Sequence, residues 1–387
     1  MDEFLNPFSP GAGTQPPAFL GRDSLIDGYR VALRRTMSGR PGKSIMPIGL
    51  RGVGKTVLLN RFHEMAQEYE LAATFIEAPE TGDFKSILAA RLRTILLELD
   101  KGPVSRAVKR ALGVLKSFTY TLPDGTSISV NVDAIEGTAD SGVLADDVTD
   151  LLIAVGRAAQ DRGRGLLLAI DEVQYLSSDE LGALITAIHR TVQLSLPVIL
   201  VGAGLPQLPG LAGNAKSYAE RLFDFPEIGS LDEDDARKVL AVPARAQDVE
   251  FDATALDALL DFTKGYPYFL QEWGYHVWNA APQSPITLDD VSLAAPDVQR
   301  QLDENFFRVR VDRLTPGEKD YLAAMADLGA GPHRSGDVAM QLGVKVESVA
   351  PRRSGLIKKG MLYSPAHGDT AFTVPMFDDF LRRSRSH

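Results

Sequence analysis

Two short stretches hold residues whose types and spacing can do chemistry on phosphates. In GLRGVGKT, residues 49–56, the positions Gly49, Gly54, Lys55 and Thr56 satisfy the spacing G-x-x-x-x-G-K-[ST]. Glycine-rich backbone can curl so that several N–H groups face an anion. A lysine there reaches the β- and γ-phosphates of a nucleotide, and a threonine hydroxyl can ligate Mg²⁺. Gly52, Val53 and Val57 complete the stretch expected to wrap the phosphates. The second stretch is GLLLAIDEVQYL, residues 165–176, an apolar run ending in Asp171-Glu172. Asp171 is expected in the magnesium shell, and Glu172 is expected to polarise an attacking water. The alternatives are a glycine-rich turn that happens to match and a strand ended by acids for solubility; the second is plausible alone but not beside the first stretch. Together the two stretches require an apolar strand before each motif and an amphipathic helix after the first.

The surrounding sequence supplies those elements. Residues 44–50, 72–78, 165–171 and 197–204 are short apolar runs bounded by Gly, Pro or acids, and they read as buried parallel strands. Helical patterns lie at 55–70, 84–100, 144–163 and 178–194. The alternation predicts an α/β fold with a parallel sheet and right-handed crossovers. Asp171 then stands at the carboxyl edge of the sheet, where ligands bind in open α/β folds. One segment, 103–132, interrupts the rhythm: a basic helix (Arg106, Lys109, Arg110, Lys116) followed by alternation around Asp124-Gly125, a hairpin signal. It reads as an insertion, either a site for a polyanion or partner or a solvated helix face.

The 387 residues allow two or three domains. The absence of cysteine excludes disulfides and thiolate metal sites, and the six histidines lack ligand spacing. Residues 1–18 are rich in Pro and Gly and are expected to form a flexible arm; they have no signal-peptide pattern. With no long apolar run, a cytoplasmic protein with no membrane partner is the expectation. The net charge of −10 argues against non-specific nucleic-acid binding by the whole surface. From Thr315 to the end, however, ten Lys/Arg stand against eight Asp/Glu, leaving that stretch at +2 and the rest at −12.

The phosphate and acidic stretches resemble the Walker A and Walker B motifs of the AAA+ class of P-loop ATPases, and more narrowly the branch shared by STAND signalling ATPases and origin-recognition initiators. FLGRDSLID (19–27) looks like the box that precedes the first strand and closes over the base, which implies roles for Gly21 and Arg22. TKGYPYFLQ (263–271) resembles the lid segment in which Gly265 and Pro267 approach the nucleotide. The resemblance implies an ATPase core over 19–230, a helical lid over 231–313 and a winged-helix domain over 314–387. ATP or ADP with Mg²⁺ would be the cofactors.

Two departures from that pattern bear on turnover. The fourth strand ends Gly202-Ala203-Gly204, where relatives carry a polar residue that places the water. The helix after Pro267 reads YFLQEWGYHVW, with no arginine for the γ-phosphate. Arg190 and Arg221 are the nearest cations, as arginine fingers working across a subunit interface or as surface ion pairs. Hydrolysis is expected to be slow and linked to self-association into a nucleotide-dependent oligomer. The aromatic residues Tyr266, Tyr268, Phe269, Trp273, Tyr275 and Trp278 read as the packed face of a lid helix rather than a base-stacking platform.

In the tail, helical stretches open at Thr315, Arg334 and Lys345, with a strand, the turn HGD (367–369) and a last helix beyond. This order resembles a winged helix-turn-helix. Arg352, Arg353, Lys358 and Lys359 near the third helix are the candidate contacts to double-stranded DNA. The expected function is an ATP-dependent switch that couples nucleotide state to DNA binding or assembly. The alternative is an ATP-gated scaffold that engages a protein partner and has no DNA role. A plain metabolic ATPase ranks last, because no second set of chemical residues is visible.

Overall fold

The computed structural model describes residues 1–11, 13–101, 105–123, 132–366 and 368–385. The sheet at its centre is parallel and five-stranded, with order β2-β3-β4-β1-β5. Its strands are β1 (Ser44–Ile45), β2 (Ala72–Glu77), β3 (Leu166–Asp171), β4 (Val198–Gly202) and β5 (Phe223–Asp224). The first strand is shorter than its apolar run because Pro47 has no N–H to give to a ladder. Pairing resumes at Ile48, which bridges to Gly204 on one side and Glu227 on the other. β5 was not anticipated: two residues are too short for a period to show, and only its place beside β1 makes it a strand.

Helices cover both faces of this sheet. They are α1 (Asp23–Met37), α2 (Lys55–Glu68), α3 (Phe84–Leu99), α4 (Arg106–Thr119), α5 (Leu144–Asp161), α6 (Ser178–Gln193), α7 (Leu208–Ala215) and α8 (Ala219–Leu222). Side chains of a strand alternate between faces, and both faces here are apolar. Leu166, Leu168 and Ile170 of β3 enter one core with α3 to α7. Leu167 and Ala169 enter the other with α1 and α2. The basic helix α4 forms as expected, but it is amphipathic. Val108, Leu112, Leu115 and Phe118 are buried while Arg106, Lys109 and Arg110 face solvent. The hairpin expected around Asp124-Gly125 lies outside the described residues.

Beyond β5 the chain is helical: α9 (Glu233–Arg245), α10 (Ala253–Thr263), α11 (Pro267–Ala280) and α12 (Leu288–Gln301). A π-helical segment, Leu302–Arg308, then runs into α13 (Val309–Val311). Trp273, Trp278 and Phe269 of α11 are buried, as a packed face requires. A last block holds α14 (Pro316–Leu328), α15 (Ser335–Gln341), α16 (Val346–Lys358) and α17 (Phe377–Arg385). Its antiparallel sheet has order β6-β8-β7, from β6 (His333–Arg334), β7 (Leu362–Tyr363) and β8 (Asp369–Phe372). A capping box fixes the start of α14: Thr315 Oγ1 accepts from the Glu318 amide, and Glu318 accepts from the Thr315 amide at 2.8 Å. Pro351 does not end α16. Phe306 and Phe307 join the blocks, Phe306 stacking on Tyr268 at 4.5 Å and Phe307 on Phe380 at 5.0 Å.

The first residues are not a free arm. Phe8 is only 2% exposed, packed over Gly274 of α11. Asn6 donates to the Tyr275 carbonyl at 2.9 Å, and Trp278 Nε1 donates to the Asp2 carbonyl at 3.0 Å. A Pro- and Gly-rich composition predicts an extended backbone, and burial of one aromatic ring is enough to tie such a backbone down. Among the described residues, no helix is long and apolar enough to cross a membrane.

Candidate functional site

A cleft of about 610 Å³ opens where the phosphate loop, the end of β3, the first residues and α11 converge. Gly54 carries φ +88° ahead of α2, a left-handed conformation that a β-carbon penalises. No side chain caps that helix, in contrast to α6, which Ser177 and Glu180 cap reciprocally. The first amides of α2 are therefore left to a ligand. At Gly49 the constraint is space: a β-carbon would lie 2.2 Å from the Ile228 carbonyl oxygen.

Lys55 is 6% exposed. Its ammonium donates to the carbonyls of Gly49 at 3.0 Å and Leu50 at 2.8 Å. Burial pulls its pKa down to about 8, against the upward pull of Glu172 and Asp171, and Arg51 lowers it further. Thr56 Oγ1 donates to Asp171 Oδ2 at 2.6 Å, and the Glu172 amide donates to Asp171 Oδ1 at 2.8 Å. Burial raises the Asp171 pKa, partly offset by the Thr56 hydrogen bond. Glu172 takes φ +52° at the sheet's carboxyl edge. Gln174 donates from Nε2 to Glu172 and accepts from the Leu205 amide at 3.1 Å. Gln174 thus spans from the acid to the end of β4, where the sequence offers only Gly202-Ala203-Gly204. Its position two residues after Glu172 is the signal that sequence reading passed over.

Of the expected residues, Arg22, Gly52, Val53, Gly54, Lys55, Thr56, Val57, Asp171, Glu172 and Pro267 line the cleft. Arg22 donates to the Gly229 carbonyl at 2.6 Å and to the Val53 carbonyl at 3.4 Å, which ties α1 to the phosphate loop. Gly21 and Gly265 pack instead against Leu231. The Gly265 carbonyl accepts from the Leu231 amide at 2.9 Å, so it shapes the entry to α9 rather than the cleft wall. Arg190 and Arg221 stay on the exposed surface; Arg190 donates to Gln193 at 3.0 Å.

Two other arginines reach the cleft. Arg51, inside the phosphate loop, lies 3.9 Å from Glu172. Arg310, on α13, sits over the Phe306 ring at 4.1 Å. Burial and then Arg51 hold the Arg310 pKa down at about 10. Among the described residues of α11 there is no arginine, and Arg310 lines the cleft from further along the chain. The segment FFRVRVD (306–312) carries it, and its place over the cleft depends on how the π-helical segment folds back.

The residues fit a magnesium–nucleotide on two observations. The buried Lys55 ammonium donates to loop carbonyls, and Arg310 lines the same cleft with its charge disfavoured by burial, so a polyanion there gives both cations a partner. Thr56 and Asp171 supply two oxygens side by side; magnesium takes few protein ligands and completes its shell with phosphates and water. Among the described residues, no cluster of three or more His, Asp or Glu offers a separate metal site.

The four cations predicted near the third helix of the last block divide. Arg353 donates to Thr370 Oγ1 at 2.7 Å, Ser364 Oγ at 2.9 Å and the Asp369 carbonyl at 3.0 Å, which knits α16 to the hairpin. Lys359 pairs with buried Glu318 at 2.7 Å. The Arg352 guanidinium lies close over Gly317 of α14. Lys358 is exposed.

Residues 18–201 match the family described as AAA ATPase domain, and residues 304–381 match a domain of unknown function (DUF8462). No curated protein matches. The Walker-type ATPase of Pyrococcus abyssi is similar over 98% of this chain and 99% of its own, at 16% identity and a TM-score of 0.59. The RuvB Holliday junction branch migration motor of Thermotoga maritima covers 98% of both chains at 17% identity and a TM-score of 0.47. The Aeropyrum pernix Orc1 protein in complex with DNA covers 96% of this chain and 94% of its own at 15% identity and a TM-score of 0.46. Residues 18–201 thus match the AAA ATPase domain, and the α/β fold is similar to that of the Walker-type ATPase.

Proposed function

We propose that this protein is an ATP-binding switch of the STAND and origin-initiator type. Its core spans 19–230, its helical lid 231–313, and a winged-helix output domain 314–387. The observation that carries the reading is buried Lys55, whose ammonium donates to loop carbonyls beside the Thr56–Asp171 pair. Lys55 exchanges those carbonyls for the β- and γ-phosphates, and the uncapped amides of α2 take the remaining oxygens. Thr56 and Asp171 would hold Mg²⁺, which supplies charge neutralisation at the phosphates. Arg310 faces the same cleft and adds charge there. Glu172 is the base toward water, and its engagement by Gln174 and Arg51 accounts for slow turnover to ADP and phosphate. Arg190 and Arg221, on the exposed surface, are available to a neighbouring copy in a nucleotide-dependent oligomer.

For the output, a protein surface is the partner we favour over DNA. Arg353 is spent inside the block, and Lys359 is paired with Glu318. The exposed side of α16 and its approach presents Val344, Val346 and Glu347 together with Lys345 and Lys358, a nearly neutral surface and a weak electrostatic footprint for a duplex.

Binding of a fluorescent ATP analogue with Mg²⁺, to wild type and to Lys55→Ala, tests the switch; equal binding by both removes it. Titration of a labelled duplex at low salt tests the output. Tight, salt-dependent binding that Lys345→Ala/Lys358→Ala weakens restores the DNA reading.

A further inference from the structure

The reading of GLRGVGKT assigns work to its glycines, Lys55 and Thr56, and leaves Arg51 without any. In the structure Arg51 touches more parts of the molecule than any of them. Its amide donates to the Thr373 carbonyl of the last block at 2.9 Å. Its carbonyl accepts from Tyr266 Oη at the start of α11. Its guanidinium reaches Tyr175 Oη at 2.5 Å, the Gly360 carbonyl at 3.4 Å and Glu172 at 3.9 Å. The packing at Gly360 is tight: with φ +63°, a β-carbon there would lie 2.6 Å from Arg51 Nη2 and 2.7 Å from Tyr175 Oη.

We infer that Arg51 is a positioning residue through which the last block holds Glu172, in the reaction proposed above, on which this inference rests. The guanidinium is a planar fork that can serve several acceptors at once. The Gly360 carbonyl and the Tyr175 hydroxyl fix that fork, and the fork faces one oxygen of Glu172 while Gln174 occupies the other. A carboxylate hydrogen-bonded by an amide on one oxygen and faced by a guanidinium on the other is not free to turn toward a water. Docking of the last block thus keeps Glu172 occupied. Movement of Gly360 and Thr373 away from the loop removes the carbonyls that hold Arg51 and frees the acid. The link runs from the phosphates, through one residue of the phosphate loop, to the output block.

Three variants of the full chain test this: Arg51→Ala, Gly360→Ala and Arg51→Lys. Affinity for a fluorescent ATP analogue, phosphate release at saturating ATP with Mg²⁺, and hydrogen exchange of the 360–373 amides are measured for each, with melting temperature as the check on folding. Arg51→Ala and Gly360→Ala are expected to raise turnover by roughly threefold or more while affinity changes by less than about threefold, a split that loss of structure does not produce. Exchange at 360–373 is expected to rise in both. Arg51→Lys keeps the charge without the fork and is expected to fall between wild type and Arg51→Ala. Turnover that is unchanged, lowered or still undetectable in Arg51→Ala and Gly360→Ala overturns the inference, as does unchanged exchange. Loss of affinity without faster turnover assigns Arg51 to the phosphates and also overturns it. Failure of wild type to bind ATP at all is a different result, and it removes the switch reading instead.

Discussion

Raising the pH from 7 to 9 carries the Lys55 ammonium of the nucleotide-free protein through its titration. Burial lowers its pKa from 10.5 to about 8, so it is roughly 90% charged at pH 7 and roughly 10% charged at pH 9. Polyphosphate in contact with the group favours the charged form and returns its pKa toward the ordinary range. Binding at pH 9 must then take up a proton, and affinity should fall about tenfold between pH 7 and 9, or ~1.4 kcal/mol. The stability of the nucleotide-free protein should move the other way. Its folded pKa lies below the unfolded value, so the unfolded chain holds more protons between pH 8 and 10.5. The burial penalty is fully present at neutral pH and disappears as pH rises through that window, a contribution of up to about 3 kcal/mol. Fluorescence anisotropy of an ATP analogue with Mg²⁺, at constant ionic strength, measures the first effect, and urea unfolding without nucleotide measures the second. Wild-type affinity that is flat from pH 7 to 9 refutes the argument that a partly deprotonated, buried Lys55 waits for the phosphates. Lys55→Met should lose binding at every pH, together with the alkaline gain in stability.

Three further outcomes follow from individual contacts. Arg353→Ala removes the hydrogen bonds to Thr370, Ser364 and Asp369 and should destabilise the protein by about 2–4 kcal/mol in urea unfolding, whereas exposed Lys358→Ala should stay within about 0.5 kcal/mol. Burial pushes the Glu318 carboxyl up, but hydrogen bonds from Lys359 and Thr315 outweigh it and hold its pKa below 4.5. Its stabilisation should therefore persist above that pH and fade as pH falls through the folded value, and Glu318→Gln should flatten the acid limb of unfolding measured from pH 6 to 3. Gly274→Leu places a side chain where a β-carbon would already lie 2.7 Å from the Phe8 ring. It should release the first residues from the cleft, seen as faster proteolysis of 1–18 and faster dissociation of bound nucleotide.

The parts of the site that were readable without coordinates are those in which neighbours in sequence are neighbours in space. Gly49 to Thr56 form one turn and the start of one helix, so their spacing alone specifies an anion cradle. The run 165–171 ends at Asp171 because a buried strand must stop where polar groups begin. Arg51 could not be read in the same way, since its acceptor at Gly360 lies 309 positions along the chain and is a backbone carbonyl. Arg310 lies beyond the helix after Pro267, and only the fold of the π-helical segment brings it to the cleft. Gln174 looked like one polar residue among several, and only the packing of β3 beside β4 gives it both the Glu172 carboxylate and the Leu205 amide. The cations near α16 point the other way. Composition gathered them as one basic patch, and tertiary contacts turned Arg353 inward and paired Lys359 with Glu318.

By itself the sequence determined the chemistry available and the fold class. The phosphate loop, Asp171-Glu172 and the alternation of apolar runs with helical patterns are local signals, governed by backbone sterics and by the periods of helix and strand. Only the tertiary structure decided the strand order, the burial that lowers the Lys55 pKa, and the convergence of Arg22, Arg51 and Arg310 on one cleft. These depend on contacts between distant segments, and a contact of that kind leaves no spacing in the sequence from which to read it.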